Sequence, residues 1–174
     1  MWRAFTATLP DDVDIDAARQ LNQAYDLGLI SQSEFIEKVK DVTGKEPHVL
    51  EKYDGDIVKN SALLDYIGEL RGRGYKIGLL SNIATPWIRD TFLSPDEQKL
   101  FDDMVFSFEA GVTKPDPRIF HLSCSHLGVE PEEAVMVDDI DRYCEAAEAI
   151  GMKSVVYRDF KQAKAYIEKI LAQK

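Results

Sequence analysis

The chain is predicted to be an α/β protein, with a parallel sheet covered by helices and a small helical module in front of it. Three observations predict this. From Asn60 onward, short apolar runs alternate with helical patterns, the order expected of a parallel sheet with helices on both faces. The apolar run Val135-Met136-Val137 ends abruptly in Asp138-Asp139, before a helical pattern from Asp141 to Ile150 and then Gly151. The first third of the chain shows helix caps and helical periodicity but no strand.

Composition sets the outer limits. A length of 174 residues allows one domain, or one domain with a small appended module. Such a chain can bury a core without disulfides or metals. Hydrophobic content of 45% and charged content of 30% are ordinary for a globular protein. The net charge of -10 argues against nonspecific nucleic-acid binding. It still admits a phosphorylated small molecule, because a lysine or a cation reverses the field locally. Cys124 and Cys144 fall in helical patterns and are expected to be reduced. No apolar run approaches membrane-spanning length, and no membrane partner is expected. The N-terminus lacks the basic region, apolar segment and cleavage site of a signal peptide, so the expected location is cytoplasmic.

The helical module spans residues 1–59. Asp14 or Asp16 can cap a helix through Ala17, Leu21 and Tyr25, with Gly28 after its end. Ser31-Gln32-Ser33-Glu34 is a capping box, and Ile30 can staple onto Phe35. That helix ends near Gly44, and Pro47 opens a short third helix to Tyr53.

The core spans residues 60–174. Leu63, Leu64, Ile67 and Leu70 recur at helical spacing, and Gly72 and Gly74 end that helix. A strand from Tyr75 to Leu80 closes on Ser81-Asn82. Thr85 is expected to cap the next helix, with Pro86 in its first turn. Ser94-Pro95-Asp96-Glu97 is a second capping box, and Met104 to Ser107 a short strand. Asp116 and Pro117 open a helix that ends at Gly128. Val135 to Val137 reads as a buried strand, Ser154 to Tyr157 as the last strand, and Phe160 to Leu171 as the last helix.

Three strand ends line up: Ser81-Asn82 after the first strand, Lys114 in the loop after the second, and Asp138-Asp139 at the end of the third. In a parallel sheet all three reach the same edge, where ligands bind. A hydroxyl and an amide can bond phosphoryl oxygens, a lysine can neutralise them, and aspartates can hold Mg²⁺. Each piece alone has a plainer reading, as a turn, a solvated loop or a helix cap. Their order on consecutive strand ends favours the functional one.

These segments resemble a known family, the haloacid dehalogenase-like (HAD) hydrolases, in the branch with a small helical (C1-type) cap. Ile77-Gly78-Leu79-Leu80-Ser81-Asn82 is similar to the family's second motif. Phe108 through Phe120, with Gly111-Val112-Thr113-Lys114-Pro115-Asp116-Pro117 at its centre, is similar to the third, and Val135-Met136-Val137-Asp138-Asp139 to the fourth. Tyr25 through Phe35 looks like the cap. The resemblance implies a Rossmann-like three-layer fold and a Mg²⁺-dependent phosphomonoesterase working through an aspartyl-phosphate. It implies that Ser81, with Asn82 beside it, binds the phosphoryl group, and that Lys114 stabilises the nucleophile and the phosphoryl charge. It also implies that Asp138 ligates Mg²⁺ and Asp139 supports the metal shell.

The family's first motif, a central strand ending in Asp-x-Asp, has no counterpart. Residues 1–9 hold no carboxylate, and Asp14-Ile15-Asp16 opens a helix and reads as a cap. The expected sheet therefore lacks its central first strand, between the strands ending at Ser81 and Asp138. Roughly 15 to 25 residues, about a strand and a loop, are expected to precede Met1 in a complete protein. The Mg²⁺ site would be weak without the missing aspartates. After Asp139, Arg142 stands where the family often has an acidic residue, with Glu145 as a weak substitute. The alternative reading is a non-catalytic HAD-like binding or interaction protein, pairing as a homodimer through an exposed sheet edge. A phospho-receiver domain also uses paired aspartates and a Lys-Pro dipeptide, but there the acidic pair comes first.

Overall fold

The computed structural model describes residues 7–10, 13–47 and 58–173. In chain order the elements are α1 (Ile15–Asp26), α2 (Gln32–Thr43), α3 (Ser61–Gly72), β1 (Gly78–Ser81) and a π-helical turn (Ile88–Phe92). Then come α4 (Pro95–Gln98), β2 (Asp103–Phe106), α5 (Ser107–Ala110) and α6 (Pro117–Leu127). A 3-10 turn (Pro131–Glu133), β3 (Val135–Asp138), α7 (Asp141–Glu148), β4 (Lys153–Val156) and α8 (Phe160–Leu171) complete the order. The chain divides into two compact units. The first comprises Met1–Lys59, Asn82–Leu93 and Phe106–Thr113, and the second Asn60–Ser81, Ser94–Val105 and Lys114–Lys174.

In the first unit, Asp14 caps α1 by accepting from the Ala17 N–H at 2.9 Å. Its neighbour Asp16 pairs with Arg19 on the surface at 2.8 Å. Asp14-Ile15-Asp16 is therefore a helix start, as its sequence context indicates. Ser31 and Glu34 form the capping box of α2, with the Ser31 N–H donating to Glu34 at 2.9 Å. Gly44, at φ 68°, closes that helix in the left-handed region that glycine enters without strain. Phe35 and Val39 form the buried centre, and Leu21, Tyr25, Ile30 and Ile36 pack on it. Tyr25 and Phe35 stack at 4.5 Å, and Ile30 supplies the staple. Ser107 is fully buried. Its hydroxyl accepts from the Ile83 N–H at 2.9 Å and faces the carbonyls of Asp26 at 2.5 Å and Ile83 at 3.1 Å.

Two expectations change here. The helix expected after Thr85 is a π-helical turn that begins at Trp87 with no side-chain cap. It is closed by the Leu93 N–H bonding back five residues to Ile88 O at 2.9 Å, a wide turn that needs no hydroxyl in front of it. The helix expected from Pro47 to Tyr53 falls almost wholly on residues 48–57, outside the described residues.

In the second unit, β3 and β4 run parallel, in register from Val135↔Lys153 to Asp138↔Val156. The ladder continues to the Tyr157 N–H, which donates to Asp138 O at 2.8 Å. Tyr66 of α3, Val155 of β4 and Ala163 and Ile167 of α8 form the core, with Val135 and Val137 packed against it. Met136 points to the other face by strand alternation and is buried. Cys124 and Cys144 are free, buried thiols.

Strand pairing departs from one continuous sheet. Among the described residues, β1 pairs with β2 and β3 with β4, and no ladder joins β1 to β3. Burial follows. Only Met136 of β3 is fully buried, and β1 is half-buried at best, where sequence alone reads a buried strand at Val135 to Val137. β1 also starts later than Tyr75, because Ile77 is engaged by Asp102. The Ile77 N–H donates to the Asp102 carboxylate at 2.8 Å, and the Asp102 N–H returns to Ile77 O at 2.7 Å. Among the described residues, no helix is long and apolar enough to cross a membrane.

Candidate active site

Lys114 organises the candidate site. It stands three residues before α6, where Asp116 caps the helix and Pro117 occupies its first turn. Its ammonium donates to Leu80 O of β1 at 3.1 Å and to Asp138 Oδ2 of β3 at 2.6 Å. The side chains of Lys114 and Asp138 are only 7% and 8% exposed. An isolated buried charge costs several kcal/mol, and here each member satisfies the other. The lysine thus connects the ends of two strands that share no ladder. Ser81, the residue after Leu80, ends β1 and is half-buried. Asn82 follows it in the chain.

Asp138 has both oxygens engaged, since Oδ1 accepts from the Ile140 N–H at 2.9 Å. Asp139, the next residue, is exposed. Its carbonyl accepts from Arg158 at 3.4 Å, and the same guanidinium pairs with Asp141 at 2.7 Å, pinning the β3–α7 loop. Among the described residues, no group of three or more His, Cys, Asp or Glu side chains is placed to hold a metal ion. Mg²⁺ asks for near-octahedral oxygen coordination and usually draws on carboxylates, water and substrate phosphate together. Among the described residues the donors at this point, one engaged carboxylate and one exposed one, do not by themselves make up a magnesium shell. Glu145 is exposed on α7.

Two residues escaped the sequence reading, Tyr143 beside the lysine and Arg158 on the β3–α7 loop. Tyr143 lies with its ring centre 5.1 Å from Lys114 Nζ, and Arg158 clamps the loop. Tyr143 had a signal, because four residues past Asp139 puts it one helical turn on. Arg158, beyond β4, had none. His126 is engaged by Asp103, its Nδ1 3.0 Å from that carboxylate.

Comparison with known proteins identifies the family. The family model of the haloacid dehalogenase-like hydrolases matches residues 6–151. The chain belongs to that family. It is 30% identical over 112 residues to a phosphoglycolate phosphatase of Salmonella typhi, covering 62% of this chain and 44% of that protein. It is 36% identical over 74 residues to a phosphoserine phosphatase of Thermus thermophilus, covering 42% of this chain and 30% of that one. The chain thus spans less than half the length of these relatives. A HAD-like hydrolase structure from Porphyromonas gingivalis superposes with a TM-score of 0.68 at 26% identity, covering 88% of this chain and 80% of that one. A HAD family enzyme of Bacteroides thetaiotaomicron, solved with magnesium and inorganic phosphate, superposes with a TM-score of 0.59 at 22% identity. It covers 86% of this chain and 87% of that one, and shows the shared fold.

Proposed function

We propose that this chain carries the phosphate-binding and charge-neutralising part of a Mg²⁺-dependent phosphomonoesterase with a small helical cap, whose nucleophile strand lies outside residues 1–174. The observation that carries this is the buried Lys114 ammonium between Leu80 O and Asp138. It sets a fixed positive charge beside Ser81, at the end of β1. Phosphoryl transfer needs positioning and charge neutralisation above all. In this reading Ser81, with Asn82 beside it, bonds phosphoryl oxygens, and Lys114 neutralises them. Asp138 holds the lysine. Asp139 is the carboxylate left to face a cation, in place of Asp138. Magnesium, when bound, would neutralise phosphoryl charge, and the rest of its carboxylate shell would come with the missing Asp-x-Asp strand. The phosphatase relatives support a small phosphorylated substrate.

A second reading is a non-catalytic member of the family. It is favoured by Lys114 and Asp138 bonding directly to one another. Hydrolysis of p-nitrophenyl phosphate with Mg²⁺ separates the two. The expected result is no turnover from residues 1–174, and turnover from a chain extended upstream by an apolar strand ending in Asp-x-Asp. Robust turnover from residues 1–174 alone would overturn the missing nucleophile. Silence from the extended chain would leave the non-catalytic reading.

A further inference from the structure

A lysine ammonium is a point charge on a flexible four-carbon stem, so its direction has to be imposed by its surroundings. At Lys114, two hydrogen-bond acceptors among the described residues help impose it, one from each strand end. A third group stands against it. Tyr143 lies in the first turn of α7, its N–H donating to Ile140 O at 2.9 Å. The residue is 8% exposed, and its ring centre is 5.1 Å from Lys114 Nζ. Its phenol oxygen accepts from Arg142 Nη2 at 3.3 Å, and the guanidinium carbon of Arg142 lies 5.0 Å from the same ring. The ring is therefore fixed by its own helix, and its π face meets a desolvated cation, the setting in which such contacts are strongest.

We propose that Tyr143 is a positioning residue for Lys114. Its ring face holds the ammonium in the direction of Leu80 O and Asp138, so that α7 sets where the charge points at the end of β1. The proposal deepens the function above, and rests on it only for what the lysine is aimed at.

The test reads the ammonium itself, by NMR of the isotope-labelled lysine NH₃⁺ groups in the full chain, with Lys114 assigned from Lys114→Arg. Wild type is expected to show a well-ordered Lys114 ammonium that exchanges slowly with water. Tyr143→Phe keeps the ring face and is expected to keep both properties. Tyr143→Leu and Tyr143→Met fill the space without a quadrupole, and are expected to raise mobility and exchange several-fold. Fluorinated phenylalanines at position 143 keep size and fold while weakening the ring face, and exchange is expected to rise stepwise with fluorination. An ammonium equally ordered across the fluorinated series would overturn the proposal, whether or not the chain is a phosphatase.

Discussion

Two residues carry charges that folding has to manage. Lys114 and Asp138 are both nearly excluded from water and neutralise each other. Lys114→Met leaves the aspartate buried without its partner, which costs about 3–5 kcal/mol. Urea denaturation is expected to show that loss, and the double change with Asp138→Asn is expected to recover most of it. Asp26 is the opposite case. Burial pushes its carboxyl up to about 7 from the ordinary 3.8, and a hydrogen bond from the Asn22 amide only partly offsets this. Because the folded-state value is raised, its contribution to stability is complete below about pH 4. It fades as pH rises and is gone above about 7, where the folded chain carries a poorly solvated carboxylate. Asp26→Asn is expected to be more stable than wild type at pH 8 by roughly 2 kcal/mol, allowing for partial exposure. The two are expected to be indistinguishable at pH 4, with melting temperature against pH as the measurement.

Helices were more legible than strands. The caps at Asp14, Ser31, Ser94 and Asp116 and the glycine stops at Gly44 and Gly128 all stand where their residue types put them. Such signals are local, a side chain bonding an N–H two or three residues away. Ser31→Ala, which removes one half of the exposed capping box of α2, is expected to cost about 1 kcal/mol in thermal or chemical unfolding. The strand β1 and the turn after Thr85 were less legible, because distant or backbone partners shape them. Asp102 sets where β1 begins, and nothing in residues 75–80 announces it. The π-helical turn has no side-chain cap at its start, so the local signal that marks the other helices is absent there.

At the scale of the whole chain, class and family were readable from alternation and from three motif segments. The juxtaposition of Lys114 and Asp138 follows from both lying at strand ends. Their direct pairing does not, because motif order gives no distances. Asn82–Leu93 and Phe106–Thr113 leave the strands and join the first unit, though periodicity along the chain marks no boundary there. Among the described residues the strands pair as two ladders, β1 with β2 and β3 with β4, and a sequence pattern names strands without naming such neighbours.

Ser107 has one hydroxyl proton and two carbonyls within reach of it, Asp26 O and Ile83 O. One hydrogen cannot serve both fully, so the bond is shared or it alternates. When it turns to Asp26, the last turn of α1 is tied to the start of α5, and Ile83 O is left to its remaining contacts. When it turns to Ile83, the helix end is released by the same motion. The last turn of α1 and the segment that leaves β1 therefore compete for a single hydrogen, and tightening one loosens the other.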